Sequence, residues 1–183
     1  MGEAIAQGVA EKVWERDDLV ISTKIFFGYG KNGPNSKGLS RKHIVEGMKA
    51  SLKRLGLDYV DLAFCHRPDP LTPIEEIVRA WNYVIDQGWA FYWGTSEWNA
   101  QQITEAVEIA NKLGLIAPIY DQPEYNLFER SKVEVDYLPL YKNYGYGLTT
   151  WSPLASGILT GKYSGGSVPE GSRLRYFCVH CSY

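Results

Sequence analysis

Apolar positions along this chain alternate between two periods. Ala4, Ile5, Val9, Ala10 and Val13 fall close to helical spacing and predict a helix over Glu3–Trp14. Leu19-Val20-Ile21-Ser22-Thr23-Lys24 is instead a short, mostly apolar, β-prone run, the kind buried on both faces of a parallel sheet. Phe26–Gly38 reads as a long loop with four glycines and a proline. Ser40 is placed to cap a helix over Arg41–Leu55, whose Ile44, Val45, Met48, Leu52 and Leu55 make one stripe and which Gly56 closes. The next strand is Tyr59–His66, halted by Arg67-Pro68-Asp69-Pro70. A helix over Ile74–Gln87 ends at Gly88 and leads to a strand over Ala90–Thr95. A helix over Ala100–Leu113, a strand over Ala117–Asp121, a helix over Ser131–Tyr144 and a strand over Leu148–Trp151 complete the pattern. Pro153 fixes φ and lacks an amide donor, so the last strand must stop there.

Strict alternation of helix and strand predicts parallel strands joined by right-handed crossovers. A doubly wound sheet and a β/α barrel both satisfy it. No G-x-G-x-x-G follows any strand, which weakens the dinucleotide-binding doubly wound option. Polar or aromatic residues stand at or just past the C-terminal end of every strand: Lys24, His66, Ser96, Gln122 and Trp151. β/α barrels keep their active sites at those ends.

Composition narrows the class further. The 183 residues are 45% hydrophobic and 22% charged, an ordinary globular balance and one domain by length. A net charge of −2 leaves no nucleic-acid footprint. No apolar run approaches the ~20 residues that span a bilayer, and the first residues do not pair a basic segment with an apolar one as a signal peptide does. The three cysteines, Cys65, Cys178 and Cys181, are sparse and odd in number, which fits a reducing compartment such as the cytosol. The stretch Leu148–Tyr163 carries the most distinctive chemistry. Trp151 offers a flat ring at a strand end, Gly157 and Gly161 admit close backbone approach, and Lys162 and then Arg173 add positive charge. Such a loop suits a ligand that joins a flat ring to phosphates.

Five segments in order then carry a specific resemblance. Ile21-Ser22-Thr23-Lys24, His66-Arg67-Pro68-Asp69, Trp93-Gly94-Thr95-Ser96-Glu97-Trp98, Gln122-Pro123-Glu124-Tyr125-Asn126 and Trp151-Ser152-Pro153-Leu154 resemble the successive strand-end motifs of the aldo-keto reductases. Within that family, Arg67-Pro68-Asp69-Pro70, Tyr92-Trp93-Gly94-Thr95-Ser96, Lys132-Val133-Glu134-Val135 and Gly157-Ile158-Leu159-Thr160-Gly161-Lys162-Tyr163 resemble the β subunits of voltage-gated potassium channels. The resemblance implies a TIM (β/α)8 barrel that binds NADPH and reduces a carbonyl small molecule. It also implies a cytoplasmic homotetramer docked on the cytosolic domain of a potassium channel. This chain matches five or six parallel β/α units, too few to close the barrel.

Residue by residue, the resemblance assigns Lys24 and His66 to the catalytic set. Lys24 would favour ionisation of a neighbouring tyrosine, and His66 would orient the carbonyl and stabilise oxyanion charge. The family's catalytic Asp and Tyr fall before the first helix of this sequence, so slow turnover is expected of this chain alone. Ser96 and Gln122 match the residues facing the nicotinamide carboxamide, and Trp151 the ring that stacks on the nicotinamide. Ser152, Pro153, Leu154, Ala155, Ser156, Lys162 and Arg173 match the loop over the phosphates and ribose. Glu97 stands where channel β subunits often carry a basic residue. The family pattern runs through residues 1–173 and is replaced in 174–183 by a divergent tail. There Cys178-x-x-Cys181 is a weak metal or redox signal without a second pair, and no metal site is expected. A reductase unrelated to channels and an inactive fragment are the competing readings.

Overall fold

The computed structural model describes residues 1–28 and 33–175. The C-terminal cysteine pair, Cys178 and Cys181, lies outside the described residues. The elements alternate as α1 (Gly2–Ala10), β1 (Ser22–Ile25), α2 (Arg41–Leu55), β2 (Val60–Cys65), α3 (Ile74–Asp86), β3 (Ala90–Thr95), α4 (Ala100–Leu113), β4 (Tyr120–Asp121), α5 (Leu138–Tyr144) and β5 (Gly147–Leu148). The strands pair in sequence order, every neighbour parallel. The sheet is open, with β1 and β5 as its edges. It is an arc of β/α units, as expected for a chain shorter than the ~250 residues a closed barrel takes.

Local chemistry explains where the helices start and stop. The Ser40 hydroxyl accepts the His43 amide at 3.3 Å, and Gly56 ends α2 with a left-handed φ of 67°. Asn99 and Gln102 form a reciprocal capping box at the start of α4. Elsewhere the elements are shorter than the apolar pattern predicts. The first helix stops at Ala10 rather than Trp14, because Lys12 turns left-handed and folds the Trp14 indole back over Gly8. A β-carbon on Gly8 would lie 2.1 Å from that ring. The helix expected over Ser131–Tyr144 splits into a π-helical turn, Lys132–Asp136, and α5, since Pro139 cannot donate an amide to a continuous helix. Pro118 similarly limits β4 to two residues. Beyond β5, Trp151 makes only an isolated bridge to Glu124, so the last strand is extended but not a regular ladder.

Helices α2, α3 and α4 cover one face of the sheet. Between the layers, Trp81 of α3 stacks on Trp93 of β3 at 6.2 Å, both fully buried. Trp81 donates to the Cys65 sulfur at 2.9 Å, and Trp93 to the Ile116 carbonyl at 2.9 Å. Burial holds the Cys65 thiol protonated, which makes it a packing residue. On the opposite face Phe64 meets Tyr120 at 4.7 Å, and the Tyr120 ring lies on Gly94, where a β-carbon would sit 2.2 Å from it.

One buried polar chain fastens β4 to the helical layer. Thr95 Oγ1 donates to Asp121 Oδ1 at 2.6 Å and lies 3.2 Å from the Tyr146 hydroxyl. The Tyr137 hydroxyl donates to the Trp98 carbonyl at 2.5 Å, and its oxygen lies 3.0 Å from Asp121 Oδ2. A tyrosine has one proton to give. With that proton on Trp98, the chain from Tyr146 through Thr95, Asp121 and Tyr137 is complete only when Asp121 carries a proton of its own. Burial pushes Asp121 up to about 6, against the bond from Thr95 and the charge of Lys132, which favour its ionised form. An unfolded aspartate ionises near 3.9, so the stabilising contribution is complete below about pH 4 and is lost as pH rises through 6, about 3 kcal/mol in all. Urea unfolding at intervals over this range should show stability falling with pH more steeply in the wild type than in Asp121→Asn. An identical pH slope in the two proteins would contradict the protonated-Asp121 assignment.

Candidate functional site

Parallel pairing sends every strand's C-terminal end to the same rim, so residues far apart in sequence become neighbours there. Lys24 of β1 stands in register with Phe64 of β2, and its Nζ lies 4.7 Å over the Phe64 ring. His66 leaves the end of β2, its amide held by the Ile25 carbonyl at 3.0 Å and its ring edge-on to Phe27 at 5.0 Å. Ser96 leaves β3, is almost fully buried, and donates to the Gln122 carbonyl at 2.9 Å. Gln122 follows β4, with its amide on the Thr95 carbonyl at 2.8 Å and its Nε2 on Thr149 at 3.1 Å. Trp151 follows β5, with its amide on the Pro123 carbonyl at 3.1 Å.

Two residues link this row. Arg67 Nη1 donates to the His66 carbonyl at 2.7 Å and reaches Ser96 Oγ at 3.5 Å. Its charge acts on both predicted catalytic residues. Burial, then Arg67, lowers the Lys24 pKa; burial, then Arg67 and Lys24, lowers that of His66. The imidazole is therefore neutral at pH 7, able to donate to an oxygen without bringing a full charge. Glu97 is the second link. Its φ of 61° is left-handed, a strain of about 1–3 kcal/mol that persists only where surroundings over-determine it. Here they do: Oε1 accepts from the Glu124 amide and from Trp151 Nε1 at 2.9 Å, while Oε2 pairs with Lys132. Burial alone would raise the Glu97 pKa, but Lys132, the amide and the indole outweigh it and keep the carboxylate ionised.

The loop after Trp151 forms a separate wall of the site. Ser152, Pro153, Leu154, Ser156, Lys162 and Arg173 border one cavity of roughly 370 Å³. Ala155 belongs to the loop but not to the cavity lining. Ser152, Ala155 and Ser156 all adopt left-handed φ near 50–60°, rare for residues with a β-carbon. Gly157 adopts a φ of 95°, which a residue with a β-carbon rarely takes up, so glycine suits this position. Lys162 folds over the loop toward the Tyr163 ring at 5.1 Å and makes no ion pair among the described residues. A partly exposed indole on the same rim as a hydroxyl and an amide, followed by a cation-bordered cavity, suits a planar ring joined to phosphates. A larger cavity of about 510 Å³ lies beside edge strand β1, between Lys24 and the α2 residues His43, Glu46 and Arg54.

The structure thus brings Lys24, His66, Ser96 and Gln122 into one row, connects Trp151 to it through Glu97, and sets the 152–162 loop beside Trp151. The motifs name Arg67 but give it no role, although its adjacency to His66 at a strand end is a local signal. The Glu97–Lys132 pair spans 35 residues and has no local signal at all.

A parallel β/α sheet with its polar and aromatic residues on the C-terminal rim defines a protein of the β/α-barrel class. A sequence model of the Aldo/keto reductase family matches residues 1–180, and the chain belongs to that family, whose members generally use NADP(H). It is 68% identical over 171 residues to the "Probable voltage-gated potassium channel subunit beta" of Arabidopsis thaliana, covering 93% of this chain and 52% of that protein. It is 64% identical over 171 residues to the protein of the same description from Oryza sativa subsp. japonica, again 93% of this chain and 52% of the relative. The chain spans about half the length of the relatives it matches.

The electrostatics of the rim predict a titration. His66 should titrate below 6.5, and Arg67→Met should raise its midpoint by removing the nearest positive charge. Two-dimensional NMR of the imidazole nitrogens across pH 4–8 measures both. A His66 midpoint above the ordinary value, or one unmoved by Arg67→Met, would refute this account of the site.

Proposed function

We propose that this chain forms the nicotinamide-binding and pyrophosphate-binding part of an NADPH-dependent aldo-keto reductase. The observation that carries the proposal is the partly exposed Trp151 ring, bonded to Glu97 on the rim that also holds Ser96 and Gln122, and followed by a loop that borders a cavity with Lys162 and Arg173. Trp151 would stack on the nicotinamide, with Ser96 and Gln122 facing its carboxamide. The loop Ser152-Pro153-Leu154-Ala155-Ser156, with Lys162 and Arg173, would hold the pyrophosphate through backbone amides and positive charge.

Bound NADPH would supply a hydride to the carbonyl carbon of an aldehyde or ketone. His66, neutral at pH 7, would donate to the carbonyl oxygen and stabilise the charge that builds there. Lys24 and Arg67 would add a positive field on the same side. The resulting alkoxide needs a proton. Among the described residues no tyrosine hydroxyl bonds Lys24 or His66, so a donor for that proton must come from elsewhere. A positioned general acid contributes typically ~10²–10⁴-fold in rate, so this chain alone should turn over slowly.

For the larger protein we propose the role named by its relatives: a cytoplasmic homotetrameric β subunit on the cytosolic domain of a voltage-gated potassium channel. The high identity to two plant proteins of that description supports it. No helix among the described residues is long and apolar enough to cross a membrane. Co-purification of the full-length relative with a channel's cytosolic domain separates this reading from that of a reductase unrelated to channels.

Titrating NADPH into the purified chain while following tryptophan fluorescence tests the cofactor assignment. Quenching should saturate and should be lost in Trp151→Ala, while His66→Ala should bind as the wild type does. An aromatic aldehyde should be consumed only slowly. Unchanged quenching in Trp151→Ala would overturn the cofactor site. Steady turnover abolished by His66→Ala would show that these residues complete the proton transfer after all.

A further inference from the structure

We propose that Glu97 is a positioning residue that fixes the plane of the Trp151 ring and so sets the geometry of the nicotinamide subsite. The proposal rests on the reading that Trp151 stacks on the nicotinamide. The backbone at Trp151 is already pinned on both sides: its amide donates to the Pro123 carbonyl, and its carbonyl accepts the Tyr125 amide at 3.3 Å. The freedom that remains is in the two side-chain torsions. The bond from Nε1 to Glu97 Oε1 at 2.9 Å fixes them.

Glu97 is itself held from every direction. Its flanking residues Ser96 and Trp98 are each 1% exposed, which immobilises the turn that places its side chain. Its left-handed φ aims the carboxylate across the rim instead of along the strand. Lys132 takes the second oxygen from the first position of the π-helical turn, a distortion that clusters at functional sites. The Glu124 amide completes the set. One carboxylate thereby ties together the segments following β3, β4 and β5. Its charge is taken up by Lys132, so its interaction with the ligand passes through the indole.

The test separates reach from charge. The Trp151 indole N–H resonance, assigned by its disappearance in Trp151→Phe, reports the tether directly, and NADPH titration reports its consequence. Glu97→Ala and Glu97→Asp should both move that resonance toward a free indole. Both should weaken NADPH binding about tenfold, as loss of a hydrogen bond to a charged group implies. Glu97→Asp keeps the charge but shortens the reach. Glu97→Gln loses the charge but keeps the acceptor, and should bind within about threefold of the wild type. If Glu97→Ala does not fold, the Asp and Gln variants decide the matter between them. Wild-type resonance and affinity in Glu97→Asp would overturn the proposal. So would a shifted resonance with unchanged affinity while Trp151→Ala binds weakly. If Trp151→Ala binds NADPH normally, the cofactor reading itself fails, and the resonance still shows whether Glu97 holds the ring.

Discussion

Parallel hydrogen bonding between consecutive strands is the constraint on which this molecule depends. Each crossover must return the chain to the same starting edge, so a helix has to follow each strand and lie on the same face. Once that is so, the strand ends share one rim. Lys24, His66, Ser96, Gln122 and Trp151 are brought together by it, though they are spread over most of the sequence. An antiparallel partner anywhere in the sheet would send at least one of them to the opposite rim.

The two faces of the sheet divide the work. The helical face carries the packing: the Trp81–Trp93 stack, Ile77, Val84, Ile103 and the apolar positions of α2. Its buried polar side chains include the Asp121 chain, which locks the two-residue strand β4 to the helical layer. Most of the backbone strain sits at the rim, where Glu97, Ser152, Ala155 and Ser156 adopt left-handed conformations; Lys12, at the turn after α1, is the other such residue among those described. Strain gathered in the segments after β3 and β5 fits a binding site, where such conformations cluster.

Much of this was legible in the sequence because it rests on local signals. Short apolar runs and helical spacing, Ser40 and Gly56 at the ends of α2, and the prolines after β2 place the elements. The strand-end motifs place the rim. What was not legible depends on tertiary contact. No window around Lys12 shows that Trp14 will fold back on Gly8. Pro139 marks a helix break, but the long apolar run around it reads as one helix. Trp151 was legible as a flat ring at a strand end, but its bond to Glu97 and the ion pair behind it span long stretches of chain. Arg67 was visible beside His66, yet its influence on Lys24 and His66 follows from distances that only the folded sheet sets.

We propose that the rim of β3–β5 and the loop after Trp151, rather than the larger cavity beside β1, receive a nicotinamide nucleotide. Backbone amide shifts of isotope-labelled chain during NADPH titration test it most directly. The largest changes should fall at Ser96, Gln122, Trp151, Ser156 and Lys162, with the Trp81–Trp93 layer unmoved. Changes centred on His43, Glu46 and Arg54 of α2, with Trp151 and Lys162 silent, would contradict it.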